Sequence, residues 1–145
     1  MGASTYSFLD LSGVIAHPTG GAFSFTGEGT GQVTVTMATE RSAIDIAADG
    51  TPMISKIAGN NGSIQIQCLQ TSKVHKYLLW LFNLIIVQGP EQWGQAAIYL
   101  RNVSDGTTHV ATGVCFSKIP DKAYAKQGAM VSWTLLAGDI QNLPF

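Results

Sequence analysis

The sequence predicts a mainly β domain: an antiparallel β-barrel or sandwich flanked by one α-helix at about residues 72–88. Three observations predict it. Apolar and polar residues alternate with period two through most of the chain. Clusters of Gly, Asn and Asp separate the alternating runs, and one segment carries a helical pattern instead.

The alternation is clearest in "SIQIQCL", where Ile64, Ile66 and Cys68 face one way and Ser63, Gln65 and Gln67 the other. "QVTVTMA" sets Val33, Val35 and Met37 against Thr34 and Thr36, and "SAIDIAA" sets Ile44 and Ile46 against Asp45. "HVATGVCF" groups Val110, Thr112, Val114 and Phe116, and "VSWTLLA" groups Val131, Trp133 and Leu135. Two hairpins follow from turn residues between strands: "HPTGG" after "YSFLDLSGVIA", and "SDGTT" after "AAIYLRNV". No repeat, linker or break in composition divides the chain, so residues 1–145 read as a single domain.

The helix is "TSKVHKYLLWLFNLIIVQ", residues 71–88. A hydroxyl at Thr71 or Ser72 can accept a hydrogen bond from a free first-turn amide. Gly89 is available for a left-handed cap, and Pro90 cannot continue the helix. Polar residues at 73, 75, 76 and 83 leave apolar runs far shorter than the ~20 residues a membrane span needs. Wound at about 100° per residue, the apolar arc covers roughly 220°, against the ~100° that a helix lying on a sheet requires. One β core covers one side of such a helix; a neighbouring subunit is the simplest cover for the other.

Composition agrees with a surface covered by copies or partners. Charged residues are 12% of the chain, apolar residues 46%, and net charge is −1. A general polyanion binder would carry a basic stripe, and this chain has none. The start "MGASTYSFLDL" has no apolar signal region, and Tyr6 stands where myristoylation needs Ser or Thr. Cys68 and Cys115 lie far apart in strand-like sequence and read as buried free thiols.

No catalytic constellation emerges. His17, His75 and His109 lack ligand-spaced partners, and "GEGTG" at 27–31 lacks the lysine of a phosphate loop. Asp105 and His109 share a turn without a nucleophile motif. Asp45 and Asp49 read as one strand face, with small neighbours Ala43 and Ala47 that leave it wet, unlike a desolvated acid–base pair. The expectation is a protein that is not an enzyme, with no cofactor and no metal.

Several words, in order, carry a resemblance: "STYSFLDL", "IAADGTPMIS", "QTSKV", "WGQ", "PDKAYAKQG" and "LLAGDI". Together, over nearly the whole chain, they resemble the tail tube proteins of contractile-tailed bacteriophages. The resemblance implies a β-barrel with one helix, six copies to a ring, and rings stacked into a hollow tube inside a contractile sheath. The tube would be built at a baseplate around a tape-measure protein, pierce the host envelope and conduct double-stranded DNA without binding it specifically. It would be a virion component assembled in the bacterial cytoplasm.

On that footing, Thr34, Thr36, Asp45 and Asp49 are the candidates for the lumen, where neutral or anionic groups avoid holding DNA phosphates. Leu79, Trp80, Phe82, Ile86 and Val87 are the candidates for a helix seam between subunits. Lys73, Lys76, Lys122 and Lys126 are the candidates for meeting an acidic sheath. Loops 26–32 and 49–62, with termini 1–6 and 139–145, are the candidates for ring-to-ring contact. Two alternatives remain at this point. One is the tube of a phage-tail-like bacteriocin or secretion system; the other is a monomeric ligand-binding barrel lined by Trp93, Phe116 and Trp133.

Overall fold

The computed structural model describes residues 6–27, 29–104 and 106–144. Among them the strands are β1 (Leu11–His17), β2 (Gly21–Thr26), β3 (Thr30–Met37), β4 (Ser42–Ile46), β5 (Pro52–Lys56), β6 (Gly62–Leu69), β7 (Ala96–Asn102), β8 (Thr108–Lys118) and β9 (Met130–Leu143), with the helix α1 (Lys73–Ile86) between β6 and β7. Seven strands form one antiparallel sheet in the order β2-β1-β7-β8-β9-β6-β3, curled into a half-barrel. β4 and β5 form a separate two-stranded hairpin. The edge strands β2 and β3 are consecutive in the chain. Three residues, 27–29, join Thr26 to Thr30 and reach at most roughly 14 Å, so the edges approach each other at that corner.

The period-two faces become the two surfaces of this sheet. Ile64, Ile66 and Cys68 of β6 are buried, as are Val131, Trp133 and Leu135 of β9, while their alternates face away from the core. In β8 the alternation breaks. Ala111 is buried where Val110 is only half-buried, and Val114 and Phe116 are buried again. The cause is a bulge: Ala111 pairs with Ile98, but Val114 pairs with Ala96, and Gly113 between them takes φ +63°, which only glycine adopts freely. Val110 and Thr112 therefore do not join Val114 and Phe116 on the core face, as strict alternation predicts.

α1 lies inside the curl. Ser72 caps it, its hydroxyl accepting from the His75 amide at 3.3 Å. The C-terminal stop differs from the sequence expectation: Val87 is the cap in right-handed conformation, and Gly89 has φ −69° and opens a short 3-10 turn, Pro90–Gln92. Pro90 begins that turn well because it has no amide to satisfy there. Val74, Leu78, Leu81 and Ile85 are buried. Tyr77 stacks on Phe23 of β2 at 4.5 Å, Phe82 meets Phe116 of β8 edge-on at 5.4 Å, and His75 packs on Trp133 of β9. The helix thus touches both halves of the curled sheet, which covers more of its wide apolar arc than a flat sheet could.

His75 is buried in the first helical turn and accepts a hydrogen bond from Trp133 Nε1 at Nδ1, 3.0 Å away. Its Nε2 has no partner among the described residues. Burial, and then the positive charge of Lys122, push its pKa below the usual value. The unfolded chain therefore takes up this proton at a higher pH than the folded chain, so stability falls as pH drops below about 6.5. Urea midpoints measured at pH 8, 6.5 and 5 should decline at the acid end. In His75→Gln, which keeps an acceptor for Trp133, that decline should be shallower; equal slopes would remove His75 as the cause.

Candidate assembly surfaces

Three surfaces carry the candidate contact residues. The first is the β4–β5 hairpin, which continues outward from the β3–β6 ladder as an arm. Its root is tied at several points. The Ala38 amide donates to Asn61 O at 3.0 Å and the Ile57 amide to Arg41 O at 2.9 Å, while Arg41 reaches Gly59 O and Asn60 Oδ1. The Ile140 amide donates to Asn60 O at 2.7 Å, joining the root to β9. Strands of five residues extend it by roughly 17 Å. On the arm Ile44 pairs with Ile54 and Ile46 with Pro52, yet Ile44 is 62% and Ile54 70% exposed. Alternation predicts a strand here, and the strand is present. Its apolar face meets no core of its own.

Two lumen candidates fall on this arm. Asp45 is exposed in β4, paired with Met53. Asp49 is not on the strand face shared with Asp45, because β4 ends at Ile46 and Asp49 sits in the tip turn. There Asp49 Oδ1 accepts from the Thr51 amide at 3.0 Å, and hydrogen bonds from Thr51 hold its carboxyl below the usual range. The residues "ADGT" carry a turn signal, and it overrides the extension of the strand through them.

The second surface is the sheet face turned away from the core. Thr34 and Thr36 of β3 lie on it, with Thr34 opposite Gln65 and Thr36 opposite Ser63 of β6. Gln32, Gln67 and Ser132 continue it around a depression of about 120 Å³. So Thr34 and Thr36 are together, and Asp45 and Asp49 are elsewhere. The polar partners on β6 and β9 are visible in the sequence as the outward residues of clean alternating strands.

The third surface is the outer side of α1. Trp80, Ile86 and Val87 are exposed there, Val87 at 81%. Leu79 and Phe82 are half-buried and pack against the protein's own core, Phe82 also meeting Trp93 at 6.3 Å. Lys73 and Lys76 lie on the first turns of the helix, and both are exposed. Lys122 and Lys126 are exposed in the irregular segment 119–129, with Lys122 over the Tyr124 ring at 5.4 Å. Residues 1–5, Glu28 and Phe145 of the proposed contact loops and termini lie outside the described residues, as does Asp105.

The other two histidines have structural partners. His17 Nδ1 accepts from the Thr19 amide and Nε2 faces Gln92 O, both at 3.1 Å. His109 Nδ1 lies 2.6 Å from Asn142 Oδ1. Cys68 is buried as expected, but Cys115 is only half-buried, and burial raises both thiol pKa values. Trp133, Phe116, Phe82 and Trp93 pack edge to face in series. They fill the space that a ligand-binding barrel would leave open. Among the described residues no group of three or more His, Cys, Asp and Glu could hold a metal ion, and no helix is long and apolar enough to cross a membrane.

A family model described as the bacteriophage PhiTE tail tube protein matches residues 3–144. The chain belongs to that tail tube family. Tail tube proteins are structural components. No curated protein matches the chain in sequence. Its fold is shared with a chain in the six-fold symmetrised baseplate of the anti-feeding prophage, at TM-score 0.65 and 14% identity, covering 99% of this tail tube chain and 97% of the other. A second neighbour is in the sheath/tube terminator of an extracellular contractile injection system, PVC, in its extended state. It has TM-score 0.61 and 10% identity, with 90% and 92% covered. A third is in the PVC sheath-tube complex, at TM-score 0.57 and 11% identity, with 92% and 88% covered.

Proposed function

We propose that this tail tube protein forms hexameric rings that stack into the inner tube of a contractile tail, pierce the host envelope and conduct double-stranded DNA. The observation that carries the reading beyond family membership is the arm. An apolar hairpin tied at its root, with both isoleucines of its central pair left exposed, is costly in water and useful between copies. We assign it to ring-to-ring contact. Trp80, Ile86 and Val87 form the seam with the next subunit of the same ring, while Leu79 and Phe82 support that seam from within. Thr34 and Thr36 face the lumen. Lys73, Lys76, Lys122 and Lys126 meet an acidic sheath surface. The other partners are the tape-measure and baseplate proteins, with assembly in the host cytoplasm into the virion tail.

Negative-stain electron microscopy and solution mass of the purified protein test this reading. Rings or hollow tubes of sixfold symmetry are expected above micromolar concentration, with baseplate extract added to nucleate growth. A stable monomer under both conditions would overturn it. Because the structural neighbours include injection-system tubes, a tube without a genome is the second reading. Purified particles containing this chain but no DNA-filled capsid would favour it.

A further inference from the structure

We propose that two rows of uncharged polar residues across β3, β6 and β9 form the channel lining itself and make it a non-adhesive wall for a double-stranded polyanion. This rests on the tube reading above. The rows are set by register: Gln32–Gln67–Ser132 and Thr34–Gln65–Thr134 lie side by side across the three strands. Gln32 Nε2 donates to Thr34 Oγ1 at 3.2 Å, and five of the six residues enclose the 120 Å³ depression.

What these strands lack is as informative as what they carry. β3, β6 and the stretch of β9 from Met130 to Gly138 contain no Asp, Glu, Lys or Arg. The nearest charges by register stand at the borders of the rows: exposed Lys118 of β8, next in line after Thr134, and Asp139, opposite Thr112. A sheet face open to bulk solvent ordinarily mixes both charges over about a quarter to a third of its residues. Amides and hydroxyls hold water but neutralise no phosphate, so a duplex passing over them releases no counterions and gains no binding free energy that would hold it. Carboxylates would instead repel the duplex at its entry. With Asp45 and Asp49 off this face, neutrality is the one of the two expected mechanisms that these rows supply.

The test uses whole particles carrying Gln65→Lys, Gln65→Glu or Gln65→Asn, with Thr134→Lys as a second cationic position. The lysine variants should release DNA about tenfold or more slowly in 50 mM salt and recover most of the wild-type rate near 0.5 M. Gln65→Asn should stay within about twofold of wild type at every salt concentration. Wild-type release by both lysine variants at low salt would overturn the proposal. The placement of this face is read separately, in tubes of Gln65→Cys with Cys115→Ser. A small thiol reagent should label intact tubes, and one on a bulky protein carrier should label only dissociated subunits. Labelling of intact tubes by the bulky reagent would overturn the lumen placement instead.

Discussion

An Ile54→Asp variant is expected to fold normally and to form no tubes. Ile54 is 70% exposed and stands opposite Ile44 on the arm, so its replacement should leave melting within about 3 °C of wild type. In a stacked tube the same side chain would be covered by a copy in the next ring. Losing that burial removes about 1.5–3 kcal/mol per contact. Placing an unpaired carboxylate there adds a desolvation cost of at least similar size. Together these weaken each subunit's contact by about a hundredfold or more, at about 1.4 kcal/mol per factor of ten. Because a ring repeats the contact around its circumference, stacking fails as a whole. The checks are thermal melting, which should be unchanged, and sedimentation of assembled material, which should stop at single rings. Tubes of normal length and yield would remove the arm from ring stacking.

The arm also shows where the sequence is informative and where it cannot be. Its strands, like those of the main sheet, follow from alternation, because a two-residue period fixes which side chains share a face. Alternation states that Ile44 and Ile46 share a face. It is silent on whether that face meets this chain's core or another chain, since both demand apolar side chains. The lumen candidates divide for a related reason. Thr34 and Thr36 sit within an unbroken alternating run, whereas "AADGT" reads equally as a strand end and a turn, and only the Thr51 amide reaching Asp49 resolves it. In β8 a single residue, Gly113, inverts the pattern, and a bulge leaves little more than a glycine in the sequence. The helix is legible in its position and N-cap. The width of its apolar arc, however, points in sequence to two partners, when much of it answers to one sheet curled around the helix. Tyr77, Leu79 and Phe82 belong to that inner covering, which leaves Trp80, Ile86 and Val87 exposed.

Trp133→Ala should destabilise the fold far more than any surface substitution, because it removes the side chain that fixes the helix within the curl. Trp133 is fully buried in β9, packs on Phe116 with ring centroids 5.5 Å apart, and donates its indole hydrogen to His75 of α1. Truncating a buried aromatic to alanine costs about 3–5 kcal/mol. Here it also strips His75 Nδ1 of its donor while Nε2 already lacks a partner among the described residues, and a stranded buried acceptor costs about 1–3 kcal/mol more. The sum is comparable to the whole stability of many domains, about 5–15 kcal/mol, so the variant is expected to melt about 15 °C or more below wild type. Trp133→Phe separates the two contributions. It keeps an aromatic ring in place but loses the hydrogen bond and part of the buried volume, so it should cost at least about 1–3 kcal/mol, yet less than alanine. The consequence for assembly follows from the same geometry. The exposed helix residues are positioned only as firmly as the helix is held to β9. Trp133→Phe should therefore slow tube growth well below its own melting temperature, while Ile54→Asp abolishes it without changing that temperature. If Trp133→Ala melted within about 5 °C of wild type, the His75–Trp133 contact would not be what holds the helix in the curl.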